Sequence, residues 1–273
     1  MCNIQCGRFQ LDLSRPRIMA IVNLTDDSFT GDGTHGDLDS TMRRVDQVLE
    51  EGADMLDIGA ESSRPGADSV PEPQELERVV RCIERLRSLQ VPLSIDTLKP
   101  AVMRAAIDAG ADMINDINAF NAPGAIEAVA PVNVGLCVMH MQGEPRTMQR
   151  SPHYVDVVED VAIYLEDRVR ALEAAGVTRN RIVLDPGFGF GKTVEHNFTL
   201  LREMARFGRD GLPVLAGLSR KSMLGSVTGR PVEERMVASV AAALIAVERG
   251  ARIVRVHDVG ATRDALKIWE AVS

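Results

Sequence analysis

The sequence predicts an α/β protein built as a single (β/α)8 TIM barrel with a short N-terminal β-hairpin. Apolar runs typical of buried parallel strands alternate with helical patterns over roughly 250 residues, the usual length of this fold. Helical stretches repeatedly end in a glycine directly before a strand, where a left-handed residue closes a helix. The turn after the first strand, NLTDDSFTGDG, lacks the glycine spacing of a dinucleotide-binding sheet, which argues against that alternative.

The elements follow in order along one expected domain, residues 1–273. Cys2–Ser14 are expected to form the hairpin, which would cap the lower end of the barrel. Helical patterns cover Asp39–Glu51, Pro71–Leu89, Tyr154–Ala175 and Val232–Arg249, and the helix-ending glycines are Gly52, Gly110, Gly176 and Gly250. The stretches that contain the strands are RIMAIVNLT from Arg17, EEGADMLDIGAES from Glu50, PLSIDT from Pro92, DAGADMINDINAF from Asp108, GLCVMHM from Gly135, AAGVTRNRIVLDPG from Ala174, PVLAGLSRK from Pro213 and ERGARIVRVHDVG from Glu248.

Composition argues against several classes of function. The chain has 273 residues, 45% of them hydrophobic, which is enough for a sizeable core. Its net charge of −8 is unfavourable for a general nucleic-acid or anionic-membrane surface, so we expect neither partner. The four cysteines show no C-x-x-C spacing; Cys2 and Cys6 are a weak metal-binding alternative to free thiols in a reducing cytosol. No secretory signal and no apolar run of about 18 residues occurs, which predicts a cytoplasmic protein.

The stretch RIVLDPGFGFGKT, from Arg181 to Thr193, is close to a phosphate-binding P-loop but does not fit one. The P-loop needs a glycine five positions before its Gly-Lys-Thr triplet, and Pro186 stands there. Proline has no N–H to offer a phosphate, and the neighbouring Asp185 would repel one. The stretch therefore predicts an acid at a strand end, followed by a glycine-rich loop that carries aromatic side chains.

Polar residues gather at the predicted strand ends, where barrel enzymes place their sites. Asp96, Asn115 and Asp185 offer hydrogen-bond acceptors that suit a flat heterocycle with adjacent N–H groups. A second group of polar residues is cationic and suits a phosphate or diphosphate. Its members are Arg64, Arg220, Lys221, Arg255 and His257.

A magnesium site is expected near the end of the first strand. Asn23 supplies a neutral oxygen close to Asp26 and Asp27. Such a set is compatible with Mg²⁺, which keeps several waters and binds substrate phosphates. The two aspartates have an alternative interpretation as solvated turn residues or a helix cap.

Several neighbouring positions have a structural interpretation beside a functional one. Asp57 and Asp116 are expected mainly to bond neighbouring loops. His140 is either a satisfied histidine near the core or a ligand contact. Phe188 and Phe190 either pack their loop on the barrel rim or touch a ligand.

Eight motifs occur in a fixed order at the strand ends: MAIVNLTDDSF, GAESSRPGA, SIDT, INDI, VMHMQGEPRTMQ, LDPGFGFGKT, GLSRKSMLG and IVRVHDV. Together they resemble the dihydropteroate synthase family over nearly the whole chain. The resemblance implies a barrel enzyme, often a homodimer, that uses Mg²⁺. It would condense 6-hydroxymethyl-7,8-dihydropterin diphosphate with p-aminobenzoate to give 7,8-dihydropteroate and diphosphate. Sulfonamides compete in this family as p-aminobenzoate mimics.

The resemblance implies a pterin pocket. Asp96, Asn115 and Asp185 would bind the edge of the pterin, with Ile117 and Met139 near its ring. The chemistry implied is a dissociative substitution, in which diphosphate leaves before the arylamine nitrogen bonds to the pterin methylene.

The resemblance also implies the residues that act on the reacting groups. Lys221 would meet the pterin carbonyl and ring nitrogen, and Arg255 would stack on the pterin face. The charge of Arg255, with that of His257, would reach the diphosphate, and Asn23 would contact Mg²⁺ or the diphosphate. The catalytic set implied is Arg64, Lys221, Arg255 and His257.

Two loops complete the implied site. Arg64, with Ser63, belongs to the loop after the second strand and would cover the diphosphate. Phe190, Lys221 and Ser222 would border the p-aminobenzoate site, where the N-terminus of the following helix is suited to a carboxylate.

The chain departs from the family pattern at two positions, and two other functions share many of its features. Asp26 replaces a proline usual in the first loop, and Ser63 replaces a threonine in the second. The alternatives are a methyltetrahydrofolate:corrinoid methyltransferase and a non-catalytic pterin-binding paralogue. The methyltransferase has no need of a diphosphate site, so the presence of Arg64, Lys221 and His257 together argues against it. A non-catalytic paralogue would be expected to lose part of the set Asn23, Asp27, Arg64 and Lys221, which is intact here.

Overall fold

The structure, a computed structural model, describes residues 3–24, 38–61 and 69–273. An antiparallel hairpin comes first, formed by β1 (Asn3–Cys6) and β2 (Phe9–Asp12). Within the described ranges, eight parallel strands then close into a barrel, which confirms the predicted fold class. These strands are β3 (Arg17–Asn23), β4 (Met55–Gly59), β5 (Leu93–Asp96), β6 (Met113–Asp116), β7 (Gly135–Met139), β8 (Ile182–Asp185), β9 (Val214–Ala216) and β10 (Ala251–Val256).

Helices alternate with the strands and cover the outside of the barrel, as the pattern of buried residues predicts. They are α1 (Leu38–Glu50), α2 (Glu72–Leu86), α3 (Pro100–Ala109), α4 (Ala125–Val129), α5 (Val157–Ala174), α6 (Val194–Arg202), α7 (Ser222–Thr228), α8 (Met236–Glu248) and α9 (Val259–Val272). The start of α5 is fixed by Asp156, whose side chain accepts from two backbone N–H groups of the first turn. No helix in the described ranges is both long enough and apolar enough to span a membrane.

The helix ends agree closely with the sequence predictions. The predicted glycines all adopt a left-handed conformation, with φ of 96° at Gly52, 114° at Gly110, 90° at Gly176 and 103° at Gly250. Three boundaries differ by three residues or more. The helix predicted to end at Leu89 ends at Leu86, the one predicted from Tyr154 begins at Val157, and the one predicted from Val232 begins only at Met236. Residues Val232–Glu234 instead form a separate 3-10 turn behind Pro231, whose fixed φ favours a new start there.

The hairpin caps the lower end of the barrel, as expected. Its apolar residues Ile4, Cys6, Leu11 and Leu13 are buried in one cluster with inward-facing barrel residues. The barrel residues of that cluster are Met19, Met55, Met113, Cys137, Val183, Leu215 and Ile253. Because this apolar cluster fills the barrel from below, polar chemistry is restricted to the carboxyl-terminal mouth.

Candidate active site

Three of four neighbouring strands carry predicted site residues to one level at the mouth of the barrel. The register pairs Asn23 with Gly59, Gly59 with Asp96, and Asp96 with Asn115. In parallel strands these paired residues lie side by side. Polar residues that are far apart in the chain therefore form part of one ring.

Arg255, on β10, is held by two carboxylates across the barrel. Its Nε donates to Asp57 Oδ2 at 2.5 Å and its Nη2 donates to Asp96 Oδ2 at 2.9 Å. Burial acts to lower the pKa of Arg255, but Asp57 and Asp96 hold it above its ordinary value. Burial also raises the pKa of Asp96 to about 7, against the opposing charge of Arg255. The two carboxylates keep Arg255 positively charged at the mouth of the barrel, and each buried charge has a partner of opposite sign.

Asn115 has an acceptor that the described residues leave unused. Its Nδ2 donates to Asp57 Oδ2 at 3.1 Å, which sets the orientation of the amide. Its Oδ1 is buried and has no hydrogen-bond partner among the described residues. A buried acceptor without a partner is costly, so this oxygen marks a position where a ligand N–H group is expected.

Asp185 ends β8 and is oriented by the loop that follows it. Its Oδ1 accepts from the backbone N–H of Gly187 at 2.7 Å. Gly187 has a φ of 70°, and a Cβ there would lie 1.8 Å from the carbonyl oxygen of His140, so only glycine fits. Burial raises the pKa of Asp185, and the charge of Lys221 opposes that shift.

Lys221, which directly precedes α7, contacts the same loop. Its Nζ donates to the carbonyl oxygen of Phe188 and lies 4.6 Å from the centre of the Phe190 ring, a cation–π distance. Burial lowers the pKa of Lys221 to about 8, with Asp185 acting in the opposite direction. Phe188 is fully buried, which confirms the packing interpretation for that ring, whereas Phe190 is half-buried beside the cation.

His257 lies at the mouth, but the neighbouring Arg220 is engaged elsewhere. Nδ1 of His257 is 2.9 Å from the hydroxyl of Ser219, which also accepts from the backbone N–H of His257. Arg220 makes two bonds to Asp258, at 2.6 Å and 3.1 Å. The sequence placed Arg220 in the anion-binding group; this paired geometry instead commits its guanidinium to a carboxylate.

Three further predicted residues differ in exposure. Ile117 is buried and lines a small cavity at the mouth together with Asp96. Met139 is buried at the end of β7 and pairs in register with Asp185. Ser222 is exposed and is the first residue of α7.

The metal prediction rests on few described donors. Asn23 ends β3 at the mouth, while Asp26 and Asp27 lie outside the described residues, as do Ser63 and Arg64. Among the described residues, no group of three or more His, Cys, Asp or Glu side chains is arranged to hold a metal. The amide oxygen of Asn23 is a single donor. It fits Mg²⁺ only where waters and a substrate diphosphate complete the coordination.

A larger cavity, of about 170 Å³, lies away from the mouth on the outer surface. Its apolar floor includes Leu184 and Phe207, and three arginines stand at its rim. These arginines pair with surface acids, as Arg206 does with Glu159 at 2.7 Å. None of the predicted site residues lines this cavity, so the mouth of the barrel remains the candidate site.

Comparison with known proteins agrees with the geometry of the mouth. Residues 19–257 match the family model of pterin binding enzymes. A dihydropteroate synthase of Haemophilus influenzae is 49% identical over 264 residues, which is 96% of each chain. A Burkholderia cenocepacia dihydropteroate synthase, solved in complex with 7,8-dihydropteroate, is 56% identical with a TM-score of 0.92, covering 99% of this chain and 96% of that one. A Xanthomonas albilineans dihydropteroate synthase, solved with 4-aminobenzoic acid, is 50% identical with a TM-score of 0.93, covering 99% and 98%.

The chain belongs to the dihydropteroate synthase family. The fold and the family implied by the motifs are thus confirmed. Within this synthase fold, the structure brings Asp96, Asn115 and Arg255 into one network and Asp185 close to Lys221. These contacts describe positions; the roles expected of the residues remain predictions.

Of the two aspartates expected to be mainly structural, one contacts the candidate site. Asp116 bonds its own loop, accepting from the N–H groups of Asn118 and Phe120 at 2.8 Å and 2.7 Å, as the structural interpretation expects. Asp57 instead bonds two predicted site residues, Arg255 and Asn115. A charged residue in the middle of an otherwise apolar strand, as in MLDIG, was the available signal.

His140 is a satisfied buried histidine. It is 5% exposed, and its Nδ1 lies 2.9 Å from Nζ of Lys192. At the level of sequence, only the rejected P-loop pattern singles out Lys192. Its burial beneath the glycine-rich loop was not foreseeable, since lysine is one of the residues least often buried.

Proposed function

We propose that this chain condenses 6-hydroxymethyl-7,8-dihydropterin diphosphate with p-aminobenzoate, giving 7,8-dihydropteroate and diphosphate. The observation that carries the proposal is the unused buried acceptor of Asn115, which stands between Asp96 and Asp185 in the order of the barrel strands. A run of acceptors at this level suits the adjacent N–H groups along the edge of a pterin. The complexes of two relatives with 7,8-dihydropteroate and with 4-aminobenzoic acid, the product and one substrate of this reaction, support the proposal.

The pterin is proposed to bind along the run of acceptors formed by Asp96, Asn115 and Asp185. Asn115 Oδ1 takes one pterin N–H, and the carboxylates of Asp96 and Asp185 take others. Gly187 already bonds Asp185 Oδ1, so Oδ2 is the oxygen directed to the ligand. Lys221 leaves the carbonyl of Phe188 to donate to the pterin carbonyl and ring nitrogen. This movement costs little free energy, because Lys221 exchanges one neutral acceptor for another.

Ring contacts complete the pterin pocket. Ile117 and Met139 offer apolar contact to the pterin, and both are buried at the mouth. Arg255 would stack on the pterin face, because a planar guanidinium packs well on an aromatic ring. Its two carboxylate partners keep it in that orientation before substrate arrives.

Departure of diphosphate is proposed to depend on fixed positive charge. The C–O bond of the pterin methylene breaks, its electron pair leaves with the diphosphate, and Arg255 and His257 stabilise the leaving charge. Arg64, with Ser63, is proposed to act on the same group. Mg²⁺, when bound through Asn23 and the diphosphate, would neutralise further charge on the leaving group. The electron-rich pterin stabilises the cationic methylene that remains.

The second half of the reaction is proposed to occur against Phe190. The neutral arylamine of p-aminobenzoate donates its lone pair to the methylene, the C–N bond forms, and the amine proton passes to water or diphosphate. Phe190, Lys221 and Ser222 form the border of this subsite. A weakly basic arylamine is already unprotonated near neutral pH, so no strong general base is required.

We also propose that residues 1–273 act as one domain that pairs into a homodimer in the cytoplasm. Buried free thiols at Cys6, Cys82 and Cys137 suit a reducing compartment.

Helix α8 is apolar on its outer side, where Val237 is 74% exposed and Ile245 is 39% exposed. Pairing of two copies over this face would bury it. Val237→Glu should shift the sedimentation coefficient to that of a monomer, and an unchanged value would exclude this face.

The proposed reaction is tested by product analysis. Purified protein with both substrates and Mg²⁺ should form 7,8-dihydropteroate, identified by mass, and omission of either substrate should abolish it. A non-catalytic paralogue would bind the pterin diphosphate in calorimetry without forming product. A corrinoid methyltransferase would instead move a methyl group from methyltetrahydrofolate to a corrinoid protein. Either of these last results would contradict the proposal.

A further inference from the structure

A buried lysine lies beneath the glycine-rich loop that separates the two proposed subsites. Lys192 is 3% exposed, and its Nζ is surrounded by neutral acceptors. It donates to the carbonyl of Gly187 at 2.9 Å and to the carbonyl of Phe190 at 3.0 Å, and it lies 2.9 Å from Nδ1 of His140. The carbonyl oxygen of His140 is a fourth, longer contact at 3.4 Å. Burial lowers the pKa of Lys192 well below its ordinary value, with the charge of Asp185 acting in the opposite direction.

The buried ring of His140 lies directly against this lysine. Burial lowers the pKa of His140 to about 3, with the charge of Lys192 acting in the same direction. The imidazole is therefore neutral near pH 7, and its Nδ1 faces Nζ of Lys192. The edge-on contact with Tyr164, at 4.9 Å between ring centres, packs the imidazole from another side.

The loop Gly187–Gly191 depends on such side chains for its shape. Three of its five residues are glycines with positive φ, so its own backbone preferences constrain it weakly. Each of its carbonyl groups accepts from a side chain. The pairs are Gly187 and Phe190 with Lys192, Phe188 with Lys221, Gly189 with Gln149, and Gly191 with Tyr154.

Lys192 binds the carbonyl oxygens of two loop residues, Gly187 and Phe190, that lie at the two ends of the loop. At one end, the Gly187 N–H orients Asp185. At the other end, Phe190 carries the ring that faces Lys221. Phe188, which is fully buried, anchors the middle of the loop independently, so the loop stays attached to the barrel without Lys192. What Lys192 adds is the placement of Phe190.

We propose that Lys192, held against neutral His140, is a positioning residue that sets the Phe190 wall of the p-aminobenzoate subsite. It acts through the carbonyls of Gly187 and Phe190 and does not touch either substrate. The inference rests on the proposed function and adds to it the residue that shapes one subsite before the substrate binds. A preformed wall lowers the cost of ordering the loop when p-aminobenzoate enters.

The test compares Lys192→Met with Lys267→Met, which removes an exposed lysine from α9 as a matched control. Lys192→Met should raise the KM for p-aminobenzoate about tenfold, because part of the binding then orders the loop. The Kd for pterin diphosphate, measured by calorimetry, should stay within about threefold of the wild-type value because Asp185 keeps its strand-end position. Lys267→Met should leave both values unchanged.

Chemical rescue separates positioning from a general role in folding. Lys192→Ala leaves a channel of the length of n-propylammonium, which should restore much of the lost p-aminobenzoate affinity, whereas propanol should not. His140→Leu, which removes one acceptor, should change the KM for p-aminobenzoate in the same direction as Lys192→Met.

Each remaining outcome counts against the inference or against the function. A p-aminobenzoate KM within twofold of wild type in Lys192→Met would overturn the inference even if the unfolding temperature fell, since the role would then be structural only. Failure of both Lys192 variants to fold would overturn it as well. Absence of product from the wild-type protein would refute the proposed function instead, so the two failures are distinguishable.

Discussion

Replacing Asp57 by alanine would remove the acceptor that three site side chains share. Asp57 Oδ2 accepts from Arg255 Nε and Asn115 Nδ2, and Oδ1 accepts from the hydroxyl of Ser94 at 2.6 Å. Asp57→Asn keeps one oxygen for Arg255 and Asn115, and its amide N–H can donate to the Ser94 hydroxyl. The two variants therefore separate loss of the acceptors from loss of the negative charge.

The expected magnitudes follow from those bonds. Removing one partner of a buried ion pair costs about 3–5 kcal/mol. Asp57→Ala also leaves the Asn115 amide and the Ser94 hydroxyl unpaired, whereas Asp96 still neutralises Arg255 and offsets part of the loss. We expect Asp57→Ala to lower the free energy of unfolding by about 4 kcal/mol. Asp57→Asn loses mainly charge assistance, about 1 kcal/mol.

Urea denaturation followed by circular dichroism measures both changes, and calorimetry measures pterin diphosphate binding by the folded protein. In Asp57→Ala, Asn115 loses the partner that orients its amide, so the affinity for pterin diphosphate should fall about tenfold. An unfolding free energy within about 1 kcal/mol of wild type, together with wild-type affinity, would refute the reasoning. Equal losses in the two variants would show that the charge, and not the acceptor pair, holds the site.

Three further predictions concern binding, pH and turnover. Asp185→Asn should weaken pterin diphosphate binding by about 1.5–3 kcal/mol in calorimetry, because the amide has one oxygen and cannot present an acceptor oxygen both to the Gly187 N–H and to the ligand. Asp108→Asn, on the exposed side of α3, is the control, and unchanged affinity in Asp185→Asn would contradict its role. Because burial lowers the pKa of Lys221 to about 8, this cation is lost as pH rises through that value, so kcat/KM for pterin diphosphate should fall above about pH 8. Lys221→Arg, which stays charged, should show reduced turnover without that fall, and a fall that persists would assign it to another group. Arg64→Ala should keep the pterin diphosphate Kd within about threefold while kcat drops about 100-fold, as expected of a group that stabilises the leaving charge; full turnover would exclude that role.

The sequence was sufficient for the barrel because its local patterns are strong. Glycines such as Gly52 and Gly250 end helices in a conformation that other residues adopt rarely, and they do so in the structure. Polar residues at the ends of apolar runs, such as Asp96 and Asn115, had to meet at one mouth once the runs became parallel strands. Both inferences depend on local chemistry and on the topology of the fold.

The directions of individual side chains could not be predicted from the sequence in the same way. Arg220 and Lys221 are adjacent cations in one motif, yet Arg220 pairs with Asp258 while Lys221 faces Phe190. The positive φ of Arg220, 57°, reorients the chain between them, and that conformation is uncommon for a non-glycine residue. The acceptor that orients the Asn115 amide, and the burial of Lys192, likewise depend on contacts between residues distant in sequence.

The most direct test of the central claim is the stoichiometry of the proposed condensation. Diphosphate and 7,8-dihydropteroate would be measured in one reaction that contains the pterin diphosphate and Mg²⁺, with and without p-aminobenzoate. We expect equal amounts of both products when p-aminobenzoate is present and little release of diphosphate when it is absent. Binding of the pterin diphosphate with no diphosphate release under either condition would contradict the claim.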